Sequence, residues 1–214
     1  MPLQIDVVSD VVCPWCFIGK RRLEQALEQL RGTPVSLRWR AFQLNPQLPA
    51  AGMDRAEYVR AKFGARASEI YDRVAQVGRG AGIDFAFDRI MRQPNTLAAH
   101  QLIRAAAVTG VEDQMVETLF RAYFLEGADL SSRACLLDLA ARAGLAFPDA
   151  QLALDDPQVR QSVLDEERSA HSLGIEGVPF FIFGGRIGVS GAQETGVLLQ
   201  AIEQVASTAS DPLS

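Results

Sequence analysis

Cys13-Pro14-Trp15-Cys16 puts two thiols within one helical turn of each other, and the residues on either side indicate where that turn lies. Leu3, Ile5 and Val7 alternate with Gln4, Asp6 and Val8, a strand signal. Beyond the second cysteine, Leu23, Leu27 and Leu30 recur at helical spacing opposite Lys20, Arg21, Glu24 and Glu28. The cysteines therefore open a helix at the carboxyl end of a strand, where ligands bind in open α/β sheets. Unpaired backbone N–H groups and the positive end of the helix dipole favour a thiolate over a thiol there. A thiolate is the nucleophile of thiol–disulfide exchange, and a second cysteine one turn on can close the ring again. Redox chemistry at sulfur is the first expectation.

The chain has 214 residues, 48% of them hydrophobic, and can bury a core without covalent staples. A net charge of −5 argues against nucleic acid or an anionic membrane surface as the main partner. Met1-Pro2-Leu3-Gln4 is uncharged, and Asp6 and Asp10 interrupt the apolar run that a secretory signal needs. The apolar run 178–183 stops at Gly184-Gly185-Arg186, far short of a bilayer span, so no membrane segment is expected. Three cysteines, two of them in one C-x-x-C, do not make a disulfide framework. A cytoplasmic location with a resting dithiol fits that usage.

Three zones follow one another. In the first, the strand and helix around the cysteines end at Gly32 and Pro34, and Val35, Leu37, Trp39 and Ala41 alternate with Ser36, Arg38 and Arg40 in a second strand. A strand–helix–strand unit of this length predicts a right-handed parallel crossover. The second zone opens at Asn45-Pro46-Gln47-Leu48-Pro49 and reads as entirely helical from Asp54, with five to seven helices. Asp54 with Glu57 forms a capping box; Asn95 and Ser131 are candidate N-caps, as is Asp156 before Pro157. Gly64, Gly110, Gly127, Gly144 and Gly174 fall where C-terminal capping glycines belong. In the third zone Phe180-Phe181-Ile182-Phe183 and residues 186–189 predict a hairpin about Gly184-Gly185. Ser190 and Gln193 then predict a capping box for a last helix burying Leu198, Ala201, Ile202 and Val205, with a frayed tail from Ser207.

This order is α/β: a thioredoxin fold (βαβ plus ββα) interrupted by an all-helical insertion domain. Its boundaries are 1–44 and 175–214 for the thioredoxin-like part and 45–174 for the insertion. The sequence resembles the thioredoxin-fold DsbA family, and within it the FrnE-like branch, related to 2-hydroxychromene-2-carboxylate isomerase and the kappa-class glutathione transferases. Ser9-Asp10-Val11-Val12-Cys13-Pro14-Trp15-Cys16 and Gly177-Val178-Pro179-Phe180-Phe181 are the specific motifs. Phe42-Gln43-Leu44-Asn45-Pro46, the stretch from Asn95 to His100, and Ser190-Gly191-Ala192-Gln193 support them.

The resemblance implies that Cys13 is the exposed attacking cysteine and Cys16 the resolving one. It implies a cis Pro179 facing the pair, with Pro14, Trp15, Val178 and Pro179 contacting substrate and the Val178 backbone pairing an extended chain. By analogy with the glutathione-using relatives, Ser190, Gly191, Ala192 and Gln193 would hold a carboxylate of glutathione at free helix-start N–H groups. Glutathione would enter as a co-substrate, with no bound cofactor, and the partners would be small thiols or protein thiols and disulfides. The isomerase and transferase relatives carry serine at the position of Cys13, which favours disulfide exchange here. The second C-terminal cysteine pair that FrnE-like proteins can carry is missing, since Cys135 stands alone. Trp15 replaces the histidine of periplasmic DsbA, and a less oxidising couple is expected.

Other readings are weaker. Zinc wants four ligands, and only Cys135, His100 and His171 remain outside the motif. His100 and His171 read as structural, Cys135 as a buried inert thiol, and the Gly78, Gly80, Gly82 cluster as a helix exit rather than a phosphate loop. Phe120, Tyr123 and Phe124 read as core, Trp15 as exposed, and Asp6 and Asp10 as candidate proton acceptors near Cys16. The alternatives to a disulfide oxidoreductase are a glutathione-dependent isomerase or transferase of an aromatic metabolite, and a holdase-type binding module.

Overall fold

The computed structural model describes residues 2–30 and 34–209. Strand β1 (Leu3–Ser9), helix α1 (Pro14–Gln29) and strand β2 (Val35–Ala41) form the first unit, with β1 and β2 parallel in the register Val7 to Trp39 and Ser9 to Ala41. Gly32, expected with Pro34 to end the helix, lies outside the described residues. The last unit is β5 (Phe180–Phe183), β6 (Ile187–Ser190) and α9 (Thr195–Ala209). The sheet order is β2-β1-β5-β6, with β5 antiparallel to both β1 and β6. This makes β1 and β5 the inner strands, and all residues of β1 from Ile5 to Ser9 are buried. Its alternation therefore separates two covered faces rather than core from solvent.

Between β2 and β5 stand α2 (Arg55–Phe63), α3 (Ala67–Gly80), α4 (Leu97–Thr109), α5 (Glu112–Arg121), α6 (Arg133–Arg142), α7 (Phe147–Asp155) and α8 (Pro157–Ser172). The expectation of an entirely helical zone needs one correction. Two-residue strands β3 (Met53–Asp54) and β4 (Arg92–Gln93) pair antiparallel inside it, and a π-helical turn covers Ala122–Glu126. Segments this short carry no periodicity to read.

Caps explain most of the helix ends. Asp54 accepts from Glu57 N at 2.9 Å, and Asp156 caps α8 with Pro157 at its first position. Ser132 rather than Ser131 caps α6, accepting from Cys135 N, while the Ser131 hydroxyl turns to Asp129. Thr96 stands at the N-cap position of α4, and Asn95 one residue earlier accepts from Leu97 N. Gly127 ends the π-turn at φ +74°, where an added Cβ would lie 2.4 Å from Arg89 O, so both conformation and space demand glycine. The cluster at 78–82 is a helix exit, with α3 ending at Gly80.

The predicted capping box before α9 is absent. Ser190 is the last residue of β6, the Gln193 side chain donates to Ser190 O, and the helix begins at Thr195. Leu198, Ala201, Ile202 and Val205 are buried as expected, and the helix continues past Ser207 to Ala209.

Helix α1 packs against α9 on one side and against the insert on the other. Phe17 stacks on Phe120 at 5.1 Å with ring planes 10° apart, and Phe85 and Phe124 complete the aromatic group. The opposite face of the sheet has a smaller cluster, Val8, Phe42, Ala170 and Ile175, beneath α8.

Candidate active site

The chain turns sharply after β1: Cys13 N donates to Asp10 O at 3.0 Å, and Cys13 becomes the N-cap of α1 with extended backbone (φ −93°, ψ 112°). Pro14 occupies the first helical turn, where a missing N–H costs nothing. The Cys13 carbonyl accepts from Cys16 N at 3.0 Å, so the two cysteines flank the first turn. The Cys13 side chain makes no capping hydrogen bond, and its Sγ lies 3.6 Å from Val178 O. The Val178–Pro179 peptide is cis. Pro179 approaches α1 closely because Gly19 has no side chain; a Cβ there would stand 3.0 Å from Pro179 Cγ.

Exposure departs from expectation. Cys13 is 4% exposed, since the Val178 carbonyl lies over it, and Trp15 is half-buried against the core rather than exposed. Cys16 sits deeper, and burial pushes its thiol well above the ordinary range. The adjacent Cys13 adds to that rise, while the Ser9 hydroxyl and the Asp10 backbone oppose it.

The turn at 190–193 hangs from the proline loop through Gly191 N to Pro179 O at 2.8 Å. Gln193 N is also taken, by Gly191 O, so this turn holds fewer free N–H groups than a helix start would. Arg22 on α1 donates to Ala192 O at 2.6 Å and pairs with Glu194, bringing a cation to the same turn.

The motifs after the second strand and in the insert converge behind the cysteine turn. Asp10 Oδ2 accepts from Leu44 N at 2.7 Å. His100 Nε2 lies 3.2 Å from Phe42 O and 3.4 Å from Asp10 Oδ1; both are acceptors, which assigns the ring hydrogen to Nε2. Asn95 donates to Leu48 O at 2.9 Å, and Glu167 accepts from both the backbone and the side chain of Gln43. Of the two proposed proton acceptors, Asp6 pairs with Arg40, and Asp10 presents its backbone rather than its carboxylate to Cys16.

Sequence reasoning missed the edge of β2. Outward N–H groups at every second residue of β2 and of the loop just after it meet carboxylates of the insert: Trp39 N to Glu112 at 3.1 Å, Ala41 N to Glu166 at 3.2 Å, and Gln43 N to Glu167 at 3.2 Å. Burial pushes the Glu112 carboxyl up to about 7, against the lowering by the Trp39 N–H. Only the acidic pair Glu166-Glu167 was visible in the sequence, and on a helix it reads as solvated charge.

Cys135 and His171 stand apart from this site. Cys135 is half-buried rather than buried, and burial together with Asp129 and Asp138 pushes its thiol up. His171 is exposed, its ring 5.0 Å from that of Phe42. Among the described residues no group of three or more His, Cys, Asp or Glu side chains is placed to hold a metal ion, and no helix is long and apolar enough to cross a membrane.

Comparison with known proteins places this geometry. The chain is 26% identical over 207 residues to the uncharacterized protein YwbO of Bacillus subtilis (strain 168), covering 94% of this chain and 96% of that one. A crystal structure described as a probable DsbA oxidoreductase, SCO1869 from Streptomyces coelicolor, superposes with a TM-score of 0.88 at 29% identity, over 99% of this chain and 93% of that one. The cytosolic disulfide reductase DsbM from Pseudomonas aeruginosa, solved with GSH, shares the fold at a TM-score of 0.66 and 24% identity, over 96% of each chain. The model of the DSBA-like thioredoxin domain matches residues 4–203, from the first strand through the last helix. That match spans the cysteine turn, the helical insert and the proline loop alike, and the chain belongs to the DSBA-like thioredoxin domain family.

Proposed function

We propose that this protein is a thiol–disulfide oxidoreductase in which Cys13 and Cys16 alternate between dithiol and disulfide. The Cys13 thiolate attacks a disulfide R–S–S–R′, forming Cys13–S–S–R and releasing R′–S⁻. Cys16 then attacks Cys13 Sγ, closing the Cys13–Cys16 disulfide and releasing R–S⁻. The observation that carries this reading is the asymmetry of the pair. Cys13 is the N-cap residue against the Val178 carbonyl, whereas Cys16 lies one turn inside with its thiol pushed up by burial.

Glutathione is the proposed small-thiol partner, with Ser190, Gly191, Ala192 and Gln193 beside it and Pro14, Trp15, Val178 and Pro179 lining the approach. The binding of GSH by DsbM and the Arg22 cation at the 190–193 turn support this assignment. DsbM is named a cytosolic disulfide reductase, and the same setting is proposed here, where the resting pair is a dithiol.

Reduction of glutathione disulfide or of a test protein disulfide should be abolished in Cys13→Ser, while Cys16→Ser should accumulate a glutathione adduct on Cys13 detectable by mass spectrometry. Unchanged turnover in Cys13→Ser sinks the reading. Glutathione-dependent activity on an aromatic substrate that survives Cys16→Ala would favour the isomerase-type chemistry instead.

A further inference from the structure

The second half of the exchange requires Cys16 to lose a proton inside the protein, and its residue is only 2% exposed. The Asp10 carboxylate holds Leu44 N through Oδ2, turns Oδ1 toward His100 and presents only its backbone to Cys16, and Asp6 is engaged by Arg40. Ser9 is placed differently. It continues the Ile5–Val7 row of β1 toward α1, is 5% exposed, and its hydroxyl faces the Cys16 thiol, whose rise it opposes; beyond that thiol its Oγ finds no hydrogen-bond partner in the protein. A hydroxyl both donates and accepts, so contact with one thiol leaves its second role open.

Beside Ser9 lies a cavity of about 10 Å³ between β2, α4, α5 and α8. That is about the least room that admits a single water molecule. Ser9 and His100 line its inner part, and Arg40, Arg104 and Glu166, all partly solvated, line it toward the surface.

We propose that Ser9 and one water in this cavity form a proton exit from Cys16, leading past His100 to Glu166 and solvent. The Ser9 hydroxyl accepts the proton from Cys16 Sγ while passing its own to the water. Cys16 Sγ bonds to Cys13 Sγ, the Cys13–S–S–R bond breaks, and R–S⁻ leaves. The inference rests on the exchange chemistry proposed above. The charged and titratable groups around the path are Cys13, Asp10, Arg40, His100, Arg104, Glu112 and Glu166, and each bears on its pH dependence.

The test separates the two half-reactions. Full-length protein is reacted with glutathione disulfide, and adduct formation on Cys13 and release of the second glutathione by Cys16 are timed by rapid quench from pH 6 to 9. Ser9→Ala should leave adduct formation within twofold of wild type and slow the release at least tenfold near pH 7, with the deficit shrinking as pH rises. Ser9→Thr, which keeps a hydroxyl, should restore release to within a few fold. Release from Ser9→Ala at the wild-type rate across this range overturns the relay. So does a deficit that is constant with pH and shared by Ser9→Thr, the mark of a packing defect. If wild type forms no adduct, the exchange reading itself has failed.

Discussion

Two seams join the helical insert to the thioredoxin unit, and they are built from opposite materials. Along α1 the seam is apolar: Phe17 lies flat on Phe120 and borders Phe85 and Phe124, with Lys20 and Arg21 bonded to Asp113 and Glu117 at its rim. Along β2 it is polar: Glu112, Glu166 and Glu167 accept the edge strand's N–H groups, and Asp10 and His100 fasten the loop that follows. Stacked rings fix the distance between surfaces but tolerate sliding, whereas hydrogen bonds to successive N–H groups fix register. The aromatic seam supplies buried apolar contact and the carboxylate seam alignment. The carboxylates also cover a strand edge that would otherwise offer a template for pairing.

That division can be broken first at the aromatic seam. Phe120 is fully buried and stacks on Phe17, and Phe120→Ala should destabilise the protein by about 3–5 kcal/mol in urea unfolding. The loss should be nearly the same at pH 5 and pH 8; a strong pH dependence would mean that the seams are not separable.

A smaller effect is expected at the polar seam. Glu167→Ala leaves Gln43 N and its side-chain amide without their acceptor, at a cost of about 1–3 kcal/mol by the same measurement. A change under about 0.5 kcal/mol would show that the ladder contributes little beyond covering the edge.

The smallest change is also the most specific. The Glu112 carboxyl ordinarily titrates near 4.5 and is held at about 7 in the folded chain. Between those values only the unfolded chain releases the proton, so this group's stabilising contribution is complete below pH 4.5 and is lost as pH rises through 7. Glu112→Gln keeps an acceptor for Trp39 N and removes the ionisation. Part of the shift is screened because the carboxyl is partly solvated. Melting temperatures of the two proteins should coincide near pH 4, with the variant about 2–4 °C higher at pH 8. Parallel curves would remove Glu112 from the account.

Legibility in the sequence follows the same line as the two seams. The elements that carry the cysteines were readable because their signals are local: alternation in β1 and β2, leucines at helical spacing in α1, and glycines past the helix ends. Asp54 and Asp156 were identified as caps because the N–H groups they accept belong to residues two or three positions on. The box proposed at Ser190 failed for a nonlocal reason: β6 pairs Ser190 with Phe180 and so delays the helix to Thr195. His100 could be read only as a lone histidine on an apolar helix, because Asp10 and Phe42 approach it from distant parts of the chain.

The sequence by itself determined that two thiols stand at a helix start in an interrupted thioredoxin arrangement, because propensity, capping and spacing act over a few residues. Only the tertiary structure decided that the Val178 carbonyl lies over Cys13, that Trp15 packs against the core, and that three glutamates fasten an edge strand. It also decided that Ser9 faces the Cys16 thiol and lines a small cavity. Each of these depends on groups many residues apart meeting at a few ångströms, and such meetings are set by how packed elements fit rather than by any local preference.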